Sequence, residues 1–302
     1  MAWCCRSGGS TIGLPWLMAG GALLLVSGVL HGIVGLISGD DWTGPLSLRK
    51  PALFGLATGV TLVSLIPVYR LIRNVSPVAR AVRAGSIILC LAAVIEVALI
   101  TAQSWRGVPS HFNTATSIDT VIHYAIDILA LLLTLVVAWW TVLACNPRIA
   151  QPEIPRHWIL SIRSGMILLL VSCILGVWMS LYGTARVKEA LAPEIFGQAG
   201  ILKFVHGTPM HAIQFLLIGS WRLDRSRIGD GVGFRLTKLS VAGFVMVSVF
   251  AGYQTFSGRS RFEFDLLSVL LLASGVMALA SSWIMIAYYA LRSEGVDSPS
   301  PG

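Results

Sequence analysis

Eight long apolar stretches constrain the fold of this chain more than any other feature of its sequence. They lie at about residues 12–37, 51–72, 82–104, 118–145, 158–183, 201–221, 236–256 and 266–291. A helix of about 20 apolar residues crosses the hydrocarbon core of a bilayer, so each stretch is long enough to be a transmembrane helix. The sequence therefore predicts an all-α integral membrane bundle of about eight helices. The sixth stretch fits least well, because it begins with Lys203, His206 and Pro209.

The low share of charged residues separates this chain from soluble proteins. It is 12%, and the mean hydropathy is +0.78, whereas soluble domains carry about 25% charged residues. Residues 1–292 are expected to form a single polytopic membrane domain whose partner is the lipid bilayer, and residues 293–302 a disordered cytoplasmic tail. The net charge of +8 fits basic cytoplasmic loops. No basic patch with interleaved aromatic residues occurs, so no nucleic-acid partner is expected.

The distribution of Lys and Arg between the predicted loops predicts the orientation of the chain. With a cytoplasmic N-terminus, 14 of the 22 Lys and Arg residues fall on the cytoplasmic side, in agreement with the positive-inside rule. A seven-span arrangement would place one terminus outside and disturb this pattern. The sequence therefore predicts a multi-pass protein of a bacterial inner membrane with both termini in the cytoplasm.

Two glycine pairs predict close contacts between helices. Gly28 and Gly32 in the first span, and Gly55 and Gly59 in the second, each have the GxxxG spacing. Such spacing lets two helix backbones approach closely. His31 lies within the first pair, so we expect it near a helix interface.

Ionisable side chains inside the apolar stretches are the main clue to function. A charged group in hydrocarbon costs about 2.5–3.5 kcal/mol on insertion scales, so such residues usually face the interior of a bundle and act there. Asp119, His123 and Asp127 recur at intervals of four in the fourth span, which places them in one stripe. Glu96 and Gln103 share a face of the third span. The predicted orientation gathers these groups in the outer half of the bundle.

The predicted site is therefore a polar centre lined by histidines and carboxylates, with Arg106 and His111 at its entrance. Its candidate residues for ligand binding or proton handling are His31, Glu96, Gln103, Arg106, His111, Asn113, Asp119, His123, Asp127, His206, His211 and Gln214.

Two chemistries fit such a site, and the spacing leaves both open. Ligation of a transition metal or a haem would use His123, His206 and His211. Proton handling would use carboxylates and an imidazole in series. His206 and His211 lie about 140° apart around a regular helix. If the sixth helix instead begins at Pro209, His206 lies in the segment before it and can approach the site.

The first hypothesis for function is a membrane protein that binds a metal, a haem or a small polar ligand. The alternatives are a proton-coupled transporter or permease, and a structural or accessory membrane subunit. A third alternative that the sequence leaves open is an enzyme that acts on lipid or quinone. The sequence contains no GxSxG motif, phosphate loop or dinucleotide fingerprint, which argues against the enzyme classes that these motifs define.

One loop and several positions near it resemble a family of uncharacterised bacterial polytopic membrane proteins. The most specific part is the RG-x-x-SHFN motif, present here as residues 106–113. The other matching residues are Lys50, Pro51, Glu96, Gln103, Asp119, His206, His211 and Gln214. The resemblance covers the second to sixth spans. It implies a fold and a set of positions, and it carries no established activity.

Overall fold

The structure is a computed structural model that describes residues 13–40, 42, 46–73, 78–147, 153–193, 199–226 and 228–296. Helices make up most of this part of the chain. They are α1 (Gly13–Ile37), α2 (Arg49–Ile72), α3 (Ala79–Trp105), α4 (Ser117–Cys145), α5 (Arg156–Lys188), α6 (Leu202–Met210), α7 (Ala212–Arg225), α8 (Asp230–Phe256) and α9 (Leu266–Val296).

Seven of the described helices, all except α6 and α7, are long and apolar enough to cross a membrane. The prediction of an all-α, multi-pass membrane fold is therefore confirmed. Helix α9 extends four residues into the predicted tail, and residues 297–302 lie outside the described part of the chain.

The sixth predicted span is divided into two helices at His211. Helix α6 begins at Leu202 and contains Pro209 in its last turn; the Thr208 hydroxyl donates to the carbonyl of Phe204. The helix therefore does not begin at Pro209, and His206 lies within it. A proline ring lacks an N–H group and crowds the preceding turn, which here accompanies a break two residues later.

The helices group into two compact units. The N-terminal unit comprises the described residues of Gly9–Leu143 and Cys173–Phe196, and the C-terminal unit comprises those of Ala144–Ser172 and Gly197–Gly302. Helix α5 contributes its first half to the C-terminal unit and its second half to the N-terminal unit.

Glycines bring α1 and α2 into backbone contact in the N-terminal unit. A Cβ atom on Gly55 would lie 2.8 Å from the Cα atom of Gly28, and one on Gly59 would lie 2.9 Å from the carbonyl oxygen of Gly21. The predicted close approach is confirmed for these positions. Gly32 has more room, because its Cβ would meet only the Ala52 side chain, at 4.0 Å.

The C-terminal unit has an apolar core and a second pair of closely packed glycines. Its core is formed by apolar residues of α5, α7 and α8, namely Leu168, Ala212, Leu216 and Phe244, with Val241 and Leu279 packed against them. Helices α8 and α9 approach closely at two glycines, since a Cβ on Gly243 would lie 2.9 Å from the carbonyl oxygen of Gly275.

The loop between α8 and α9 is held by Asp265. Its carboxylate accepts hydrogen bonds from the Tyr253 hydroxyl (2.6 Å) and the backbone N–H of Ser268 (2.8 Å), and it pairs with Arg259 at 2.5 Å. These contacts, that of the Tyr253 hydroxyl above all, hold the pKa of Asp265 well below its usual range. The ionised carboxylate therefore stabilises the loop and the start of α9.

We expect Asp265→Asn to lower the thermal stability of the protein at neutral pH. A carboxyl group whose pKa is lowered by folding stabilises the fold above its ordinary pKa of about 4, and this contribution is lost as the pH falls through the lower, folded value. The difference in unfolding temperature between the wild type and this variant should therefore be largest at pH 7 and smaller at pH 3. Glu189→Gln, at an exposed carboxyl, is the control and should show no such convergence. A difference in unfolding temperature that is as large at pH 3 as at pH 7 would contradict the stabilising role of the Asp265 carboxylate.

Candidate functional site

The two units divide the predicted site residues between them. The N-terminal unit holds His31, Glu96, Gln103, Arg106, His111, Asn113, Asp119, His123 and Asp127, and the C-terminal unit holds His206, His211 and Gln214. The N-terminal set forms two networks joined by the loop between α3 and α4.

The first network fixes the two ends of that loop around Asp119. The carboxylate accepts hydrogen bonds from Gln103 Nε2 (2.9 Å), Arg106 Nη1 (2.8 Å) and the Thr116 hydroxyl (2.7 Å). Arg106 also donates to the Gln103 side-chain carbonyl. Thr116 in turn accepts from the Asp119 N–H at 3.1 Å, as an N-cap does. Gln103 and Asp119 are buried, so this network is a structural clamp between α3 and α4.

The RGVPSHFN loop turns tightly above the clamp. Gly107 has a φ of 66°, in the left-handed region that glycine tolerates. Asn113 holds the returning chain, since its amide donates to the carbonyl of Pro109 (3.2 Å) and its side-chain oxygen accepts from the N–H of Ala115 (3.1 Å). The motif residues Arg106 and Asn113 therefore shape the loop.

His111 faces a cation from α2. Its Nδ1 accepts from Lys50 Nζ and from the Ser110 hydroxyl, both at 3.1 Å. The ring also packs against Phe54, with centroids 6.2 Å apart. This arrangement places a basic pair, Lys50 and His111, at the loop end of the N-terminal unit.

Phe112 connects the loop to the second network. Its backbone N–H donates to His123 Nδ1 at 3.3 Å, so Nδ1 is an acceptor and the ring proton resides on Nε2. The Phe112 ring contacts two imidazoles, with its centroid 6.0 Å from that of His111 and 5.8 Å from that of His123.

The second network is a group of two carboxylates and one imidazole, which we call the carboxylate–imidazole group: Glu96, His123 and Asp127. His123 is 1% exposed, and its Nε2 lies 3.7 Å from Asp127 Oδ2 and 3.5 Å from the Thr184 hydroxyl. Asp127 accepts a hydrogen bond of 2.7 Å from the Ser180 hydroxyl of α5. Asp127 is also close enough to Glu96 for the two carboxylates to interact electrostatically.

The carboxylate–imidazole group lies deep within its helices. Glu96 comes nine residues before the end of α3, and Asp127 comes ten residues after the start of α4. At 1.5 Å per residue these offsets are about 14 and 15 Å along the helices. Glu96 is only 8% exposed. Among the described residues of the N-terminal unit, neither carboxylate forms an ion pair with Lys or Arg.

His31 connects helices within the N-terminal unit. Its Nδ1 donates to the carbonyl of Ser27 at 2.7 Å, and its Nε2 accepts from Trp105 Nε1 at 3.0 Å. Both ring nitrogens are thus used in binding protein groups, which favours a structural role between α1 and α3.

The candidates in the C-terminal unit lie around the break between α6 and α7. His206 donates from Nδ1 to the carbonyl of Ser172 at 2.8 Å, and the Ser172 hydroxyl donates to the carbonyl of His206 at 2.7 Å. His211 is exposed at the break, and Gln214 is buried in α7. In the part of the chain that the structure describes, no group of three or more His, Cys, Asp or Glu side chains is arranged to hold a metal ion. Metal or haem ligation by His123, His206 and His211 stays a prediction.

A further polar cluster in the C-terminal unit was not predicted from the sequence. His157, at the start of α5, lies 3.1 Å from Asp224 and 3.5 Å from Asp230. The Trp158 indole donates to Asp224 at 2.7 Å. These residues lie beside basic loops, where carboxylates are usually solvated. No pattern in the sequence therefore indicates that His157 is buried. The cluster ties the first turns of α5 and α8 to the end of α7.

Comparisons with models of known protein families, with curated proteins and with solved structures found no match. The resemblance to the family with the RG-x-x-SHFN loop therefore stays a prediction.

Proposed function

We propose that the protein is a proton-coupled membrane transporter, in which the carboxylate–imidazole group takes up and releases the proton. The observation that carries the proposal is the placement of Glu96 and Asp127. Two carboxylates lie at mid-depth in the N-terminal unit, within electrostatic reach of each other and without a Lys or Arg counter-ion among its described residues.

The electrostatics of such a pair favour a shared small cation. Two like charges in a low-dielectric setting repel each other and lack the hydration that would offset the cost. A proton bound by one of the two carboxylates would relieve this repulsion. A proton is the cation that fits this group without requiring further ligands.

The neighbours of the pair support proton movement. His123 presents its Nε2–H side to Asp127 and Thr184, and Ser180 donates to Asp127. Imidazole and hydroxyl groups can both give and accept protons, so the group has the components of a relay.

The broken sixth span supports a transporter over a purely structural subunit. Discontinuous helices recur in secondary transporters, where the interrupted backbone contributes to binding sites. Helices α6 and α7 are interrupted at His211. The coupled substrate on this proposal is a small polar solute.

Infrared difference spectroscopy of the purified full chain tests the proposal directly. The wild type should show the carbonyl stretching band of a protonated carboxyl group at acidic pH and should lose this band at alkaline pH. Glu96→Gln or Asp127→Asn should remove or shift this band, while Glu189→Gln, at an exposed carboxyl, should leave it unchanged. A band that survives both substitutions would overturn the proposal. If the purified wild type contained stoichiometric metal or haem and His123→Ala lost it, the ligand-binding hypothesis would replace the transporter proposal.

We also propose that the protein lies in a bacterial inner membrane with both termini in the cytoplasm, which the charge distribution of the loops supports. Ala115→Cys should then react with a membrane-impermeant thiol reagent added to intact cells, because residue 115 is exposed in the loop between α3 and α4. Gly231→Cys is the matched control on the predicted cytoplasmic side, since a Cβ there meets no atom within 4 Å. It should react only after the cells are opened. The opposite pattern would reverse the topology.

A further inference from the structure

We propose that Phe112 is the gate that closes the carboxylate–imidazole group off from the loop end of the N-terminal unit. The inference rests on the proposed function, because it assigns the route by which a proton or solute reaches that group. The Phe112 ring contacts both His111, the partner of Lys50, and His123 of the carboxylate–imidazole group.

The backbone of Phe112 is held in an unfavourable conformation. Its φ is 58°, in the left-handed region that bulky side chains rarely adopt. Such strain persists only when the surrounding structure enforces it, and it is typical of switch regions and ligand clamps. A return of this residue to the right-handed region would release the strain and would swing the ring away from its present position.

The ring is held in place by a notch in α5. A Cβ atom on Gly183 would lie 2.6 Å from Cζ and 2.7 Å from Cε1 of Phe112. Only glycine leaves enough space for the ring at this position. The aromatic ring therefore packs against Gly183 and beside His123, which lies one helical turn from Asp127.

A hydrogen bond to the carboxylate–imidazole group holds Phe112 in the closed position. The Phe112 N–H donates to His123 Nδ1, at 3.3 Å, which is longer than the usual 2.9–3.0 Å. On its own helix, His123 also meets the carboxylate of Asp127 and the ring of Tyr124, with centroids 5.1 Å apart, and α5 contributes the Thr184 hydroxyl. A ligand that draws the imidazole towards Asp127 would lengthen this bond and free the strained loop.

Accessibility of the group to a thiol reagent tests the gate. The probe is Thr184→Cys in the full chain, and the measurement is its rate of reaction with a small, impermeant, cationic thiol reagent, corrected for the wild-type cysteines. Phe112→Asn removes the ring but tolerates the left-handed backbone. Gly183→Ala keeps the ring but fills its notch. Both should accelerate labelling by at least about tenfold, which corresponds to 1.4 kcal/mol of closing free energy.

Two controls make the outcome decisive. Phe262→Asn removes a ring of the same size from an exposed loop position of the C-terminal unit, and it should leave the labelling rate unchanged. Hydrogen exchange of the amides around His123, measured without the cysteine substitution, should also be faster in Phe112→Asn. Unchanged labelling and exchange in both gate variants would overturn the gate. The infrared test concerns only the carboxyl band, so the gate and the proposed function can fail separately.

Discussion

Replacing Glu96 by methionine is expected to stabilise the protein, by about 1–3 kcal/mol in the free energy of unfolding, which is the usual cost of burying a polar group without a compensating partner. The carboxylate is buried and has no Lys or Arg partner among the described residues of its unit, so its removal relieves a desolvation cost. Methionine is unbranched and flexible, and it fills irregular space well. A residue retained at such a cost is characteristic of a functional site. The measurement is reversible unfolding in mixed micelles.

The matched control is Gln103→Leu, seven residues away on the same face of α3. Gln103 is fully buried, and its amide donates to Asp119. Its loss leaves buried polar partners in the clamp unsatisfied, so the free energy of unfolding should fall by about 1–3 kcal/mol. A comparable loss of stability in Glu96→Met would show that Glu96 is a structural connector like Gln103.

The helices could be predicted closely because they depend on local pattern. The predicted fourth span, residues 118–145, matches α4, and the predicted second span differs from α2 by two residues at its start. Apolar runs of this length have few alternatives in a bilayer, since only a helix satisfies all of its own backbone hydrogen bonds there. Loop bonds, which join distant residues, leave no such pattern.

The polar stripe on α4 shows where local pattern stops being informative. Spacing places Asp119, His123 and Asp127 on one face, and it suggests a single site. The structure assigns Asp119 to the clamp with Arg106, and the other two to the group with Glu96. The choice of partner depends on how the loop after α3 folds back, and spacing within one helix does not encode that.

Other features depend on contacts that no single stretch of sequence contains. The left-handed backbone of Phe112 has no marker, because neither a glycine nor an asparagine stands at that position. The burial of His157 between Asp224 and Asp230 joins residues about 70 positions apart. The GxxxG spacing correctly predicts a close helix contact at Gly28, whose partners are Ala52, Gly55 and Leu56. The second glycine of the same motif, Gly32, is loosely packed.

The contact between α1 and α2 is therefore a place where an added side chain should strongly affect folding. We expect Gly55→Val to lower the free energy of unfolding by about 1–3 kcal/mol or more. Its Cβ would lie 2.8 Å from the backbone N and Cα of Gly28 and from the carbonyl oxygen of Leu24. Because these atoms belong to a helix backbone, only a shift of the whole helix can relieve the overlap. The measurement is unfolding in mixed micelles.

Gly32→Ala provides the control within the same helix pair. The added methyl group would meet only the Ala52 Cβ, at 4.0 Å, which is ordinary van der Waals contact. Alanine also favours the helix over glycine by about 1 kcal/mol, so this variant should be neutral or slightly more stable than the wild type. If both glycines tolerated substitution equally, the two helices would not be held by backbone contact at Gly55. Lipid-facing side chains offer little driving force between helices, so a loss confined to Gly55 would identify close packing as what holds α1 against α2.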